Sequence, residues 1–206
     1  MNGTCTDNSQ KPSNLRLVNE TTKVETRVDS QLVARAIEND RGAIGELVRM
    51  HQDMWYRFCV LQLHDDELAK DATQETALRV VKDLHLFRGE SQFRTWSFGI
   101  ALNVCREFKR KRGKYVTLDI EQSGLGEMSC HDGEAVQKIT HRESVNEMMR
   151  MLESLTDRQR EAVVLRHLEE LPTEEAAAAM NCAVGTVKAT LSQALKRLRE
   201  LMGVKQ

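Results

Sequence analysis

The sequence predicts an all-α protein of two small helical domains joined by a flexible linker, and three observations predict it. Apolar residues recur at three- and four-residue spacing through most of the chain. Only 2 of 206 residues are proline, 30% are charged and 4% are aromatic, a composition that suits solvated helices. Between the periodic stretches lies the interval 113–139, which carries four glycines (113, 124, 126, 133) and the acids Asp119, Glu121, Glu127, Asp132 and Glu134 without a long periodic run. As flexible coil its ends lie roughly 30 Å apart, and full extension allows about 90 Å, so the flanking domains need not touch.

Residues 1–27 are rich in Asn, Thr, Ser and Gln, have no apolar period and read as a disordered tail. The first domain, 28–112, holds four helices. The first starts at Asp29 as N-cap, turns Leu32, Val33, Ala36 and Ile37 to one side and stops near Asn39-Asp40. The second carries Ile44, Leu47, Val48, Trp55 and Phe58 on one face. The third begins near Asp66 and buries Ala69, Ala72, Thr73, Ala77, Val80 and Leu84. After the break at 88–91, the fourth runs from about Arg94 to Arg112 with Trp96, Ile100, Val104 and Phe108 as its stripe.

The second domain, 140–206, resumes the period with Val145, Met148, Met149 and Leu152, and then gives three short helices. Thr156 or Asp157 caps the first, which ends before Pro172. Thr173, Glu174 and Glu175 open an alanine-rich second helix, and Asn181 tolerates the left-handed turn that follows. The last helix points Val187, Leu191, Ala194, Leu195 and Leu198 inward, leaving Thr186, Lys188, Ala189, Thr190, Ser192, Gln193 and Arg197 outside. Small alanines that let helices approach, followed by a helix of short polar and cationic side chains, form a helix-turn-helix pattern suited to the major groove of DNA. A three-helix bundle with no ligand is the plain alternative.

The stretch 87–112 holds Phe87, Phe93, Trp96 and Phe98 among the cations Arg88, Arg94, Arg106, Lys109, Arg110, Lys111 and Arg112. Rings among cations suit unstacked bases and their phosphates. A base stacked on a ring contributes about 1 to 3 kcal/mol, whereas breaking a duplex base step costs roughly 1.4 kcal/mol, so a few contacts help hold a strand open. An amphipathic helix with a basic end is the competing reading. With a formal net charge of −1, any nucleic-acid affinity must come from such local patches and be sensitive to salt.

The same residues bound what else the chain does. Five cysteines without a CxxC pair indicate neither a disulfide framework nor a zinc finger. The six histidines do not fall into ligand spacing, and no phosphate loop, nucleophile elbow or HExxH motif occurs, so neither an enzyme nor a cofactor or metal is expected. No apolar run approaches a membrane span and the N-terminus lacks a secretory core, which points to the cytoplasm without membrane insertion.

Taken in order, DSQLVARAIENDRGAIGELVRMHQ, DATQETALRVV, FRGESQFRTWSFGIALN, LTDRQREAVVLRHLEEL and VGTVKATLSQALKRL resemble an extracytoplasmic-function, or group IV, sigma factor of the bacterial sigma-70 family. The resemblance implies a specificity subunit of RNA polymerase, with 28–112 as region 2 and 140–206 as region 4. It implies that Asp71, Gln74, Glu75 and Leu78, which share one helix face, meet the clamp helices of the polymerase's largest subunit, and that region 4 meets the flap of the second-largest. It places Phe87, Arg88, Ser91, Gln92, Phe93, Arg94, Thr95 and Trp96 at the minus ten element, with Lys109, Arg110 and Arg112 on phosphates. It puts Thr186, Lys188, Ala189, Thr190, Ser192, Gln193 and Arg197 at the minus thirty-five element, and implies an anti-sigma factor as a further partner. The recognition helix departs from close relatives, which often follow Thr-Val-Lys with Ser-Arg-Leu: here Ala189, Thr190, Ser192 and Gln193 occupy the polar positions, and losing an arginine removes a phosphate or guanine contact of about 1 to 3 kcal/mol. A stand-alone helix-turn-helix regulator is the alternative, and it predicts tight operator binding by the free protein.

Overall fold

The computed structural model describes residues 30–116 and 137–203, all in helices and short connections. The tail at 1–27 and most of the interval taken as linker lie outside the described residues. Two compact units divide the chain at residue 47.

In the first unit, α1 spans 30–37 and ends in a turn where Asn39 adopts φ 68°. The Asp40 carboxylate then accepts from the backbone N–H of Gly42 at 2.9 Å and of Ala43 at 3.2 Å, so it caps the helix that follows. Arg35 donates to the same carboxylate at 2.6 Å and holds its pKa below the ordinary value. Leu32, Val33, Ala36, Ala43 and Leu47 are buried.

The second unit takes in the rest of α2 (Arg41–Leu63), then α3 (Asp66–Asp83), a 3₁₀ turn (Leu84–Leu86) and α4 (Phe93–Val116). Asp65 caps α3 by accepting from the Leu68 N–H at 3.1 Å. Helices α2 and α4 run side by side in the same direction. His51 meets the Phe93 ring at 4.9 Å, Trp55 donates to the Ser97 hydroxyl at 3.1 Å, and Cys59 meets Cys105 a turn or two further on. The stripe expected on α4 is displaced. Phe98, Ala101, Leu102, Val104 and Cys105 are fully buried, while Trp96, Ile100 and Phe108 are only half-buried. The reason is that α4 packs on α3 along one side and on a C-terminal helix along another, so no single stripe faces a single core. On α3 likewise Thr76, whose hydroxyl donates to the Ala72 carbonyl at 2.7 Å, is buried where Thr73 and Ala77 were expected.

The C-terminal part comprises α5 (Gln137–Glu153), α6 (Asp157–Val163), a π turn (Val164–Leu168), α7 (Thr173–Met180) and α8 (Val184–Leu201). Thr156 and Gln159 form a reciprocal capping box at the start of α6. Asn181 ends α7 at φ 52°, ψ 56°, the left-handed turn the sequence predicts. Ala176, Ala177, Ala179 and Met180 of α7 and Val187 and Ala194 of α8 are buried. Helix α7 packs against α8 and also against α4, with the Ala179 carbonyl 3.5 Å from where a side chain on Gly99 would begin. The two flanking segments therefore touch. Helices α4 and α5 also reach into the interval taken as linker, since α4 ends at Val116 and α5 begins at Gln137.

Candidate nucleic-acid interface

Helix α3 presents Asp71, Gln74 and Leu78 to solvent, and Leu78 is 67% exposed although it is apolar. Glu75 is half-buried because it accepts from Arg79 at 2.7 Å, and Arg79 in turn forks onto both oxygens of Glu107 of α4 at 2.8 and 2.7 Å. That fork holds the Glu107 carboxyl below its ordinary pKa. Val81, one turn beyond Leu78, is also exposed and extends the apolar part of this face. Its i+3 spacing from Leu78 was the signal that would have found it.

The loop before α4 turns at Gly89, φ 72°, and leaves Arg88 and Gln92 exposed and Ser91 half-buried. Its aromatic residues form one cluster: Phe87 lies 5.9 Å from Phe93 and 5.3 Å from Trp96, and Phe93 lies 5.7 Å from Trp96. Phe93 is 5% exposed and acts as the floor, whereas Phe87 and Trp96 keep open edges.

Several cations expected at DNA are occupied within the chain. Arg94 donates to Glu169 at 2.9 Å and also lies over the Phe98 ring, and Lys109 donates to Asp157 at 2.7 Å. Thr95 is buried and donates to Glu175. Arg112 reaches Asp65 at 3.5 Å, while Arg110 is exposed. Arg106, which the sequence reading left out of the site, forks onto Glu161 at 2.8 and 2.7 Å. Glu161 and Glu169 are nearly fully buried. A lone buried carboxylate would cost several kcal/mol, so the arginines of α4 are what allow these acids to sit there. Nothing in the helical period distinguishes such acids from a solvated face, which is why they were missed.

The seam between α4 and α6 is polar at depth. Arg160 is 7% exposed and donates to the carbonyls of Leu152 at 2.9 Å, Leu155 at 3.1 Å and Glu153 at 3.2 Å, closing the open end of α5. It also reaches the Gln62 carbonyl at 3.4 Å. Burial, reinforced by the positive charges of Arg160 and Lys109, pushes the His64 imidazole down to about 4.

On α8, Thr186, Lys188, Ala189, Ser192, Gln193 and Arg197 are exposed and Thr190 is half-buried, so the expected recognition face lies on one side of the helix. Val187, Leu191, Ala194, Leu195 and Leu198 take the other side, wholly or partly buried. Among the described residues no cluster of His, Cys, Asp or Glu is arranged to hold a metal ion, and no helix is long and apolar enough to cross a membrane.

Residues 47–115 match the family model for Sigma-70 region 2, and residues 146–198 match that for Sigma-70, region 4. The chain is 30% identical over 172 residues to RNA polymerase sigma-H factor of Pseudomonas aeruginosa, covering 81% of this chain and 89% of that one. It is 32% identical over 159 residues to the ECF RNA polymerase sigma factor SigM of Bacillus subtilis, covering 77% and 94%. Among solved structures, the sigma factor RpoE of Bartonella quintana, crystallised with the anti-sigma factor NepR, aligns with a TM-score of 0.61 at 25% identity, covering 79% of this chain and 98% of that one. CnrH, in complex with the cytosolic domain of CnrY, shares the fold at a TM-score of 0.64 and 22% identity, covering 86% and 99%. The chain belongs to the extracytoplasmic-function group of the sigma-70 family, the RNA polymerase subunits that direct promoter-specific initiation of transcription.

Proposed function

We propose that this sigma factor docks on core RNA polymerase through α3 and presents promoter DNA with two separate surfaces. Residues 28–112 serve as region 2, 113–139 as the connecting segment and 140–206 as region 4, and the protein works in the cytoplasm beside the polymerase. Asp71, Gln74, Glu75 and Leu78 carry the docking to the clamp helices, and one observation supports this reading most: a leucine two-thirds exposed amid acids and an amide on an otherwise well-packed helix. Such a face suits a partner with an apolar groove rimmed by cations.

The minus ten element is read by the loop Phe87–Gln92 and by the edges of Phe87 and Trp96, with Phe93 supporting them from below. Arg110 is free to meet phosphate. Arg94, Thr95 and Lys109 reach DNA only after Glu169, Glu175 and Asp157 withdraw, so loading a promoter strand requires α6 and α7 to leave α4. Helix α8 reads the minus thirty-five element through Lys188 and its neighbours while region 4 contacts the polymerase flap. By likeness to the complexed relatives, an anti-sigma factor is a further partner.

The test is run-off transcription with purified core polymerase on a promoter library, which returns both recognition sequences. Asp71→Lys with Glu75→Lys should abolish association with core polymerase while circular dichroism stays helical. Association that persists in this variant removes α3 from the docking surface.

A further inference from the structure

Two of the described cysteines face each other across separate helices. Cys59 lies on α2 and Cys105 on α4, 46 residues apart in sequence, with their Sγ atoms 3.6 Å apart. Both are wholly buried in one core cluster that also contains Ala69, Ala72 and Ala101. They continue the line of α2–α4 contacts begun by His51 with Phe93 and Trp55 with Ser97. The helices are thus held in register by other contacts, and the sulfurs already touch. A disulfide needs an S–S distance of about 2.05 Å, so bond formation requires further approach of about 1.5 Å.

We propose that Cys59 and Cys105 are a site of reversible intramolecular disulfide formation, with a hydroperoxide as the oxidant. The Cys59 thiolate attacks one peroxide oxygen. The O–O bond breaks, Cys59 becomes a sulfenic acid, and the released oxygen takes up a proton to leave as water when the oxidant is hydrogen peroxide. The Cys105 sulfur then attacks the Cys59 sulfur. The S–S bond forms, the S–O bond breaks, and the departing hydroxide takes the Cys105 proton as a second water. Two thiols are oxidised and one peroxide is reduced.

The two thiols differ in the way the sequence of steps requires. The hydrogen bond from Cys105 holds the Cys59 thiol below its ordinary pKa against the opposing effect of burial, and the same contact together with burial pushes Cys105 up. Of the two, Cys59 gives up its proton the more readily and serves as the attacking sulfur. Access is the slow step. Both cysteines are wholly buried, so local opening of the core must precede attack by the reagent. The bond would fasten α2 to α4 around the whole of α3 and the Phe87–Phe93 loop.

The experiment treats the full-length reduced protein with hydrogen peroxide, natively and in sub-denaturing urea, then alkylates in strong denaturant and digests with trypsin. The expected product joins the peptide 58–70 to the peptide 95–106, loses two alkylatable thiols and separates on addition of dithiothreitol. Urea should speed its appearance severalfold, and the oxidised protein should melt at a higher temperature that falls back on reduction. Full alkylation of both cysteines in both arms overturns the proposal. So does sulfinic or sulfonic acid at either site without the joined peptides, or disulfides that instead involve Cys5, Cys130 or Cys182.

Discussion

Gln62 is fully buried, and among the described residues neither end of its side-chain amide has a hydrogen-bond partner. An unmet buried polar group costs about 1–3 kcal/mol, whereas an apolar side chain of similar shape carries no such cost. Gln62→Met should therefore stabilise the protein by about 1–2 kcal/mol, which thermal melting would register as a rise of roughly 2–8 °C. Two residues on, His64 sits at φ 53° with its ring nitrogen Nε2 buried and, among the described residues, without a hydrogen-bond partner. Its pKa of about 4 lies below the ordinary 6.5. Above the ordinary value both the folded and unfolded forms are neutral and nothing is lost. Between 6.5 and 4 the unfolded chain binds a proton that the folded chain refuses, so stability falls as pH falls through that window. His64→Asn, which keeps a residue tolerant of the left-handed backbone, should flatten that dependence. Urea unfolding at pH 5 and pH 7 would show it, and an equal loss in both proteins would reject the assignment.

Single elements differ in how readable they were. The C-terminal helices were legible because their boundaries rest on local chemistry: a capping box at Thr156, proline at 172 and left-handed asparagine at 181. Helix α4 was legible as a helix but not in its facing. A periodic stripe identifies one buried side, and α4 is packed on two, so Thr95, Ser97 and Cys105 are covered where a one-sided helix would have shown them. The same packing explains Arg106 and Glu161. Removing Arg106 should destabilise by about 3 kcal/mol, because Glu161 is left charged and shielded from water with Arg158 at 3.6 Å beside it. Removing Glu161 should cost less, because the Arg106 side chain is 28% exposed. Arg106→Met and Glu161→Gln should each lower the urea midpoint, and the double variant should recover much of the loss. Additive losses would mean that the two side chains do not sense each other.

For the whole molecule, the two-part helical architecture, the exposed α3 face and the outward side of α8 could be read in advance. The contact between the parts could not. Its acids, Asp157, Glu161, Glu169 and Glu175, stand where a helix-turn-helix carries solvated residues, and only the folded chain reveals that α4 supplies their partners. At one point of that contact, Gly99 of α4 lies against the backbone of α7, with the Ala179 carbonyl at 3.5 Å and its Cα at 3.7 Å from a would-be methyl. Alanine fits that space at ordinary contact distance, but a bulkier group does not. Gly99→Phe should act as a doorstop, propping the halves apart without touching any charge, and small-angle scattering would record a larger radius of gyration than for Gly99→Ala. Such a propped form would offer a handle on the molecule that neither polymerase nor promoter need supply.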